Sequence, residues 1–237
     1  MLDTIKKNRV KVSLELYEAG KSGFLSPAVC LGDREIAQAI ENHASGKLLD
    51  IGCGEMPYRN LILPKVEVYD TLDIEKRHPG VKYLGDVQNM TEIRSGTYDT
   101  ATCFAVLEHV PDPLISFKEL ARVLKPQGKL ILTVPHLSRL HEEPHDYFRF
   151  TKYGIKAALE AEGFEILELK PVGGLFCFLG HQVSIAFLGL LWHVPLIKNI
   201  ALWINKLAIV ESAIFLDKVV DKKKLFAMDY LCVARKK

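Results

Sequence analysis

Two groups of residues in this chain could do chemistry. The first begins at Asp50-Ile-Gly52-Cys53-Gly54, directly after the apolar run Leu48, Leu49 and Ile51. Glycines at this spacing let the backbone turn tightly and approach a ligand closely. Asp73 stands 23 residues after Asp50. An acid at the end of the next strand can accept hydrogen bonds from both ribose hydroxyls of a nucleoside. Asp70 and Glu75 are neighbouring acids that compete for this role, and a turn cap is the plainer reading of Asp73. Asp86, between Gly85 and Val87, is a third acid at a comparable position. The second group is the stretch 135–151, with three histidines, three acids and three aromatics. An acceptor hydroxyl or amine that attacks carbon must lose a proton, and histidine titrates in the right range. His145, next to Asp146, is the first candidate base and His136 the second, against a purely structural reading of the loop. Arg149 either holds an anionic substrate group or ties the loop to a carboxylate. The spacing of His141, Glu142 and His145 matches no recognised metal pattern.

These residues need elements to position them. Asp33–Asn42 reads as an amphipathic helix with Asp33 as its N-cap, and Ser13–Glu18 as a further helical stretch. The run from Lys47 forms a first strand, and the Gly-rich turn leads to a short helix over about 58–63. Pro57 sits at a first-turn position. Val66–Leu72, Val81–Leu84 and Tyr98–Phe104 follow as strands. Pro113–Leu124 carries Leu114, Phe117, Leu120, Ala121 and Leu124 at helical spacing, and Lys125–Gly128 ends it. Lys129–Val134 is strand five, Lys152–Glu162 a helix capped by Thr151, Phe164–Leu169 strand six, and Phe226–Arg235 strand seven. This order predicts an α/β fold: a Rossmann-like, doubly wound, seven-stranded sheet, parallel with an antiparallel last strand. Its ligand crevice would lie at the carboxyl ends of the strands.

The dinucleotide fingerprint G-x-G-x-x-G is incomplete here, because Pro57 holds the third glycine position. A ligand without phosphates does not need that glycine, and S-adenosylmethionine is such a ligand. Leu49-Asp50-Ile51-Gly52-Cys53-Gly54 resembles the first motif of the class I S-adenosylmethionine-dependent methyltransferases. Three later stretches agree in order: Thr71-Leu72-Asp73-Ile74, Leu107-Glu108-His109-Val110, and Glu119–Pro135. The resemblance implies that Asp50, Gly52, Cys53, Gly54, Asp73, Asp86, Val87 and Phe104 line the cofactor site. Asp86 would meet the adenine amine and the Val87 backbone the ring, with S-adenosylhomocysteine as product. Some members hold a divalent metal through E-x-x-E-H at the end of strand four. Ala105 replaces the first glutamate here, and a Glu–His pair offers too few ligands without a third contributor. No metal is therefore expected, and Glu108 and His109 are expected to fix the loop. Pro144–Thr151 resembles a segment in a branch tied to glycan or lipid pathways.

The composition suits a globular protein with a real core: 49% hydrophobic and 25% charged. A net charge of +2 and the lack of a basic stripe argue against nucleic acid. Five cysteines without C-x-x-C spacing read as small core residues. The charged N-terminus has no apolar h-region, so a cytoplasmic protein is expected. The chain divides into an N-terminal helical segment (1–46), a binding domain (47–170 with 226–237) and a hydrophobic helical insertion (171–225). No Asp, Glu, Lys or Arg occurs from Pro171 through Ile197. Two packed helices forming a lid or homodimer interface rank first for this insertion, peripheral membrane contact second and a membrane span third. The function expected is methyl transfer to a small-molecule, glycan or lipid-like acceptor at oxygen or carbon. A non-catalytic protein of the same fold that binds the donor or its product is the alternative, and a dinucleotide oxidoreductase ranks third.

Overall fold

The structure is a computed structural model that describes residues 2–237. In chain order the elements are α1 (Leu2–Glu18), α2 (Pro27–His43), β1 (Lys47–Ile51), α3 (Arg59–Ile62), β2 (Val68–Asp73), β3 (Tyr83–Leu84) and β4 (Tyr98–Phe104). They continue with α4 (Pro113–Val123), β5 (Leu124–Pro135), α5 (Lys152–Ala161), β6 (Phe164–Val172), α6 (Leu175–Leu191), α7 (Pro195–Ile204), α8 (Ser212–Val219) and β7 (Asp229–Lys236). A π-helical stretch, Asn205–Glu211, joins α7 to α8. The contacts divide the chain into two compact units. One holds the residues through Glu35 together with Pro171–Met228, and the other holds Ile36–Lys170 with Asp229–Lys237.

The second unit is built on the sheet, in the order β3-β2-β1-β4-β5-β7-β6. β1, β2, β3, β4 and β5 pair in parallel, and β7 runs antiparallel to β5. The expected seven-stranded fold is present. Leu48, Leu49 and Ile51 are fully buried, as both faces of a central parallel strand must be. In α4, Asp112 caps the first turn by accepting from the amides of Leu114 and Ile115, and Pro113 supplies the preset backbone angle at the helix start. Phe117, Leu120 and Val123 then enter the core.

Some boundaries differ from those expected. Lys125–Gly128 does not break the chain between helix and strand. β5 starts at Leu124, and the register slips between Tyr98↔Leu124 and Thr100↔Lys129, with Gln127 at φ 66. A bulge absorbs the turn residues while the strand continues. Asp33 is not an N-cap. α2 begins at Pro27, where the Ser26 hydroxyl accepts from Val29 N–H at 3.3 Å, and Asp33 lies inside the helix, accepting from the Ser22 hydroxyl at 2.6 Å. Pro27 at the first helical position outcompetes the later acid as a start signal.

The first unit is helical. Val12, Leu16, Leu25, Leu188, Trp192 and Leu202 form its core, with Phe24, Val29, Ile185 and Phe187 packed around them. The start of α6 lacks a side-chain cap from its own neighbours, and carboxylates distant in sequence replace it. Asp217 accepts from Phe176 N–H at 2.7 Å and Cys177 N–H at 3.1 Å, and Asp221 accepts from Leu175 N–H at 2.8 Å. Anions at a helix N-terminus satisfy orphan amides and oppose the helix dipole. By length and composition alone, Ile197–Val219 is long and apolar enough to cross a membrane. Asp217→Ala should strand two amides and lower stability by about 1–3 kcal/mol. Urea denaturation monitored by circular dichroism reads this, and an unchanged midpoint would show that the cap contributes nothing.

Candidate functional site

The carboxyl ends of β1, β2, β3 and β4 share one edge of the sheet, and the acids expected there are present. Asp50 is buried, and its oxygens accept from the Tyr69 hydroxyl at 2.7 Å and the Thr102 hydroxyl at 2.7 Å. Burial pushes its carboxyl up from the ordinary range. Both oxygens are engaged within the sheet, so Asp50 supports the turn above it. Gly52 has φ +67, and a Cβ there would stand 2.3 Å from Cγ2 of Val106. Only glycine fits both the backbone angle and that space. Gly52 N–H donates to the Leu72 carbonyl at 2.8 Å, and Cys53 N–H reaches the same oxygen at 3.2 Å. The Cys53 thiol is buried and pushed up to about 12 by desolvation. Burial thus holds it in the thiol form, away from the thiolate that a nucleophile needs.

Asp73 ends β2. Gly54 N–H donates to its Oδ2 at 2.8 Å and Glu75 N–H to its Oδ1 at 3.0 Å. The carboxylate is locked against the glycine turn and keeps lone pairs for further donors. Its competitors are placed elsewhere. Asp70 pairs with Lys82 at 2.7 Å and the Tyr98 hydroxyl at 2.9 Å, and Glu75 pairs with Arg77 at 3.2 Å on the surface. Asp86 follows β3 and accepts from Gln88 N–H at 2.8 Å. Val87 is buried beside it. Phe104, at the end of β4, meets Tyr58 edge-on with ring centroids 5.2 Å apart.

The two candidate bases differ in setting. His136 leaves the end of β5, with Nδ1 2.9 Å from the Phe150 carbonyl and its ring 5.3 Å from that of Tyr230. A carbonyl only accepts, so Nδ1 carries the hydrogen and Nε2 is free to take a proton. His145 is exposed, with Nδ1 3.2 Å from the Tyr147 hydroxyl. His145 does not pair with Asp146, its neighbour in the chain. Asp146 instead receives the fork of Arg149 at 2.6 and 2.7 Å and the backbone N–H of His141 at 2.8 Å. The guanidinium holds the Asp146 carboxyl well below the usual carboxylate range. Arg149 also donates to the carbonyls of Ser138 and Arg139, so it ties the loop together.

A third arrangement was not expected from the sequence. Glu108 is fully buried, and neither of its oxygens has a hydrogen-bond donor among the described residues. Burial pushes its carboxyl up to about 8, and desolvation lifts Asp229 to about 7. His109 and His141 face Glu108, with rings perpendicular and 4.8 Å apart. Burial, then the neighbouring His109, lowers the pKa of His141. His141 lies beside Glu108 and His109, a neighbour that the local Glu-His pair does not reveal. The signal lay in topology, because β5 neighbours β4 and the loops that leave them meet. Glu142 and His145, grouped with His141 in the sequence reading, do not join the cluster.

A methyltransferase-domain family model matches residues 30–169. A ubiquinone biosynthesis O-methyltransferase of Xanthomonas oryzae pv. oryzae is 30% identical over 103 residues, covering 38% of this chain and 43% of that one. The corresponding protein of Dechloromonas aromatica is 26% identical over 188 residues, covering 65% of this chain and 80% of that one. The chain thus spans less than half the length of the Xanthomonas relative. Among solved structures, a methyltransferase from Archaeoglobus fulgidus superposes with a TM-score of 0.55 at 16% identity, over 89% of this chain and 95% of that one. The [4+2]-cyclase SpnF superposes with a TM-score of 0.58 at 16% identity, over 85% and 80%. At these identities the structures establish the fold alone. Asp73→Ala should weaken S-adenosylmethionine binding by about 10–100-fold, the value of charge-assisted hydrogen bonds. Calorimetry on the folded variant reads this, and undiminished affinity would remove Asp73 from the site.

Proposed function

Because the chain belongs to the methyltransferase-domain family, we propose that it transfers the methyl group of S-adenosylmethionine to an oxygen or carbon of a small acceptor with a lipid-like or glycan-like body. One observation carries the reading. The Asp73 carboxylate is clamped on the Gly54 amide at the edge where the His136 loop leaves β5. The donor brings a methyl carbon already activated by its sulfonium, so holding the reactants in line supplies much of the rate. Asp73 accepts the ribose hydroxyls, Asp86 the adenine amine, and the backbone of Gly52, Cys53 and Gly54 leaves room for the methionine part. Phe104 and Val87 contribute apolar walls. His136, fixed through Nδ1, takes the acceptor's proton at Nε2, with His145 the second candidate. An oxygen acceptor is favoured by the relatives named as O-methyltransferases of ubiquinone biosynthesis.

The first unit supports an acceptor met at a membrane surface. Ile200, Trp203, Ile204, Leu207, Phe215 and Val219 are exposed along one continuous helical run. Several charged groups of that run are paired: Lys198 with Glu15, Lys206 with Glu211, and Asp217 with the start of α6. Exposed Lys218, Lys222 and Lys223 lie at its end. An apolar face carrying aromatics, with lysines beside it, suits a helix lying in the interface of an anionic bilayer. The second reading is a non-catalytic protein that binds the donor or its product; the cyclase of the same fold shows only that this fold is not confined to methyl transfer.

Two measurements test these points. With radiolabelled donor and an organic extract of acceptors, the protein should place label on an extractable product. His136→Ala should lower turnover about 100-fold while donor affinity stays within about twofold. Donor binding without any labelled product would favour the non-catalytic reading. Separately, phosphatidylglycerol vesicles should co-sediment the protein, and Trp203→Glu should release it. A dimer that ignores vesicles would assign the face to self-association.

A further inference from the structure

The loop that leaves β5 carries a cation that the fold does not pair. Arg139 is partly buried, and among the described residues its guanidinium makes one hydrogen bond, from Nη1 to the carbonyl of its neighbour Leu140 at 3.1 Å. Arg122, Arg149 and Arg235 are also partly buried, and each faces a carboxylate: Glu119, Asp146 and Glu165. Asp146 acts on Arg139 from a distance, but its two oxygens are taken by the Arg149 fork and the His141 N–H. The burial of the Arg139 charge is therefore uncompensated, and desolvation lowers its pKa. Most of its five N–H donors are left for solvent or a ligand.

The residue is held in place by its backbone. Its carbonyl accepts from Arg149 Nη2 at 2.8 Å, from the Ser138 hydroxyl at 3.3 Å and from His141 Nδ1 at 3.3 Å. The loop runs along the sheet edge that holds the glycine turn. Phe150 N–H donates to the Pro135 carbonyl at 2.9 Å, and Tyr147 N–H donates to the Glu108 carbonyl at 2.8 Å, beyond β4. Towards β2, Arg77 is acted on by both Asp73 and Glu142, which brings the loop tip near the candidate ribose acid. Arg139 itself stands three residues after His136.

We propose that Arg139 recognises an anionic group of the acceptor, a carboxylate or a phosphate ester, and so determines which acceptors the site takes. A guanidinium fork matches the paired oxygens of either group. Tyr147 and Phe148, exposed on the same loop, suit the apolar body of such an acceptor. The link to the acceptor rests on the methyl-transfer reading, whereas the anion site can be measured without turnover. The donor's own carboxylate, placed beside the glycine turn in that reading, is the competing anion.

The test uses the full chain and begins with S-adenosylhomocysteine binding by calorimetry. Absence of that binding would tell against the methyl-transfer reading alone, and the anion titrations would proceed on the free chain. The saturated protein is titrated with benzoate, phenyl phosphate and neutral benzamide, followed by NMR. One of the two anions should bind saturably and at least about tenfold more tightly than benzamide. Preference for benzoate assigns a carboxylate, and preference for phenyl phosphate assigns a phosphate ester. Arg139→Gln should abolish the preference for an anion, and Arg139→Lys should retain part of it, more for phosphate than for carboxylate. Lys156→Ala, which removes an exposed cation of α5, should leave it unchanged. Thermal unfolding reports whether each variant is folded, and Arg139→Lys serves if Arg139→Gln does not fold. Equal binding of all three probes or an undiminished preference in Arg139→Gln would overturn the proposal. Loss of S-adenosylhomocysteine affinity in the folded Arg139 variants would also overturn it, by giving the guanidinium to the donor's carboxylate.

Discussion

The buried carboxylate of Asp50 is the constraint on which the site depends. Its two oxygens accept from hydroxyls on the strands to either side, Tyr69 on β2 and Thr102 on β4. One side chain therefore joins three adjacent strands directly beneath the glycine turn. A buried carboxyl without partners would cost several kcal/mol, and about two hydrogen bonds offset most of that. These bonds set the height at which β1 ends, and so where Gly52 and Gly54 can meet Leu72 and Asp73. The register agrees, since Asp50 pairs with Thr71 on one side and Thr102 on the other.

Above that clamp, function divides between fixed and adjustable parts. The glycine turn is fixed through Asp73, which binds the Gly54 and Glu75 amides together. The loop from 136 to 150 is a separate construction, held by Arg149 and Asp146 and pinned to the β4 loop where Tyr147 N–H donates to the Glu108 carbonyl. Donor recognition needs a constant shape, because the donor is constant. Acceptor chemistry varies within a fold, and loops at strand ends are where that variation is accommodated.

Most of the sheet was legible from the residues alone, because buried parallel strands read as short apolar runs and the turns between them contain glycine, proline or aspartate. β1, β4 and α4 fall at or within a residue of where periodicity puts them. The acids at the strand ends were legible for the same reason: once the strand order is known, their edge is known. What escaped were pairings between residues distant in sequence. Asp146 adjoins His145 in the chain yet serves Arg149 and His141. Asp33 carries cap chemistry, but Pro27 and Ser26 give a stronger start signal six to seven residues earlier. His141 meets Glu108 only because the sheet sets β5 beside β4, which no local pattern shows.

Val106 presses against the place where a side chain on Gly52 would stand, and two residues later the chain turns inward at Glu108. The Val106 side chain thus stands between the glycine turn and the short helical turn that carries Glu108. A shift of the glycine backbone as it receives a ligand would be felt by the segment that carries Glu108 and His109.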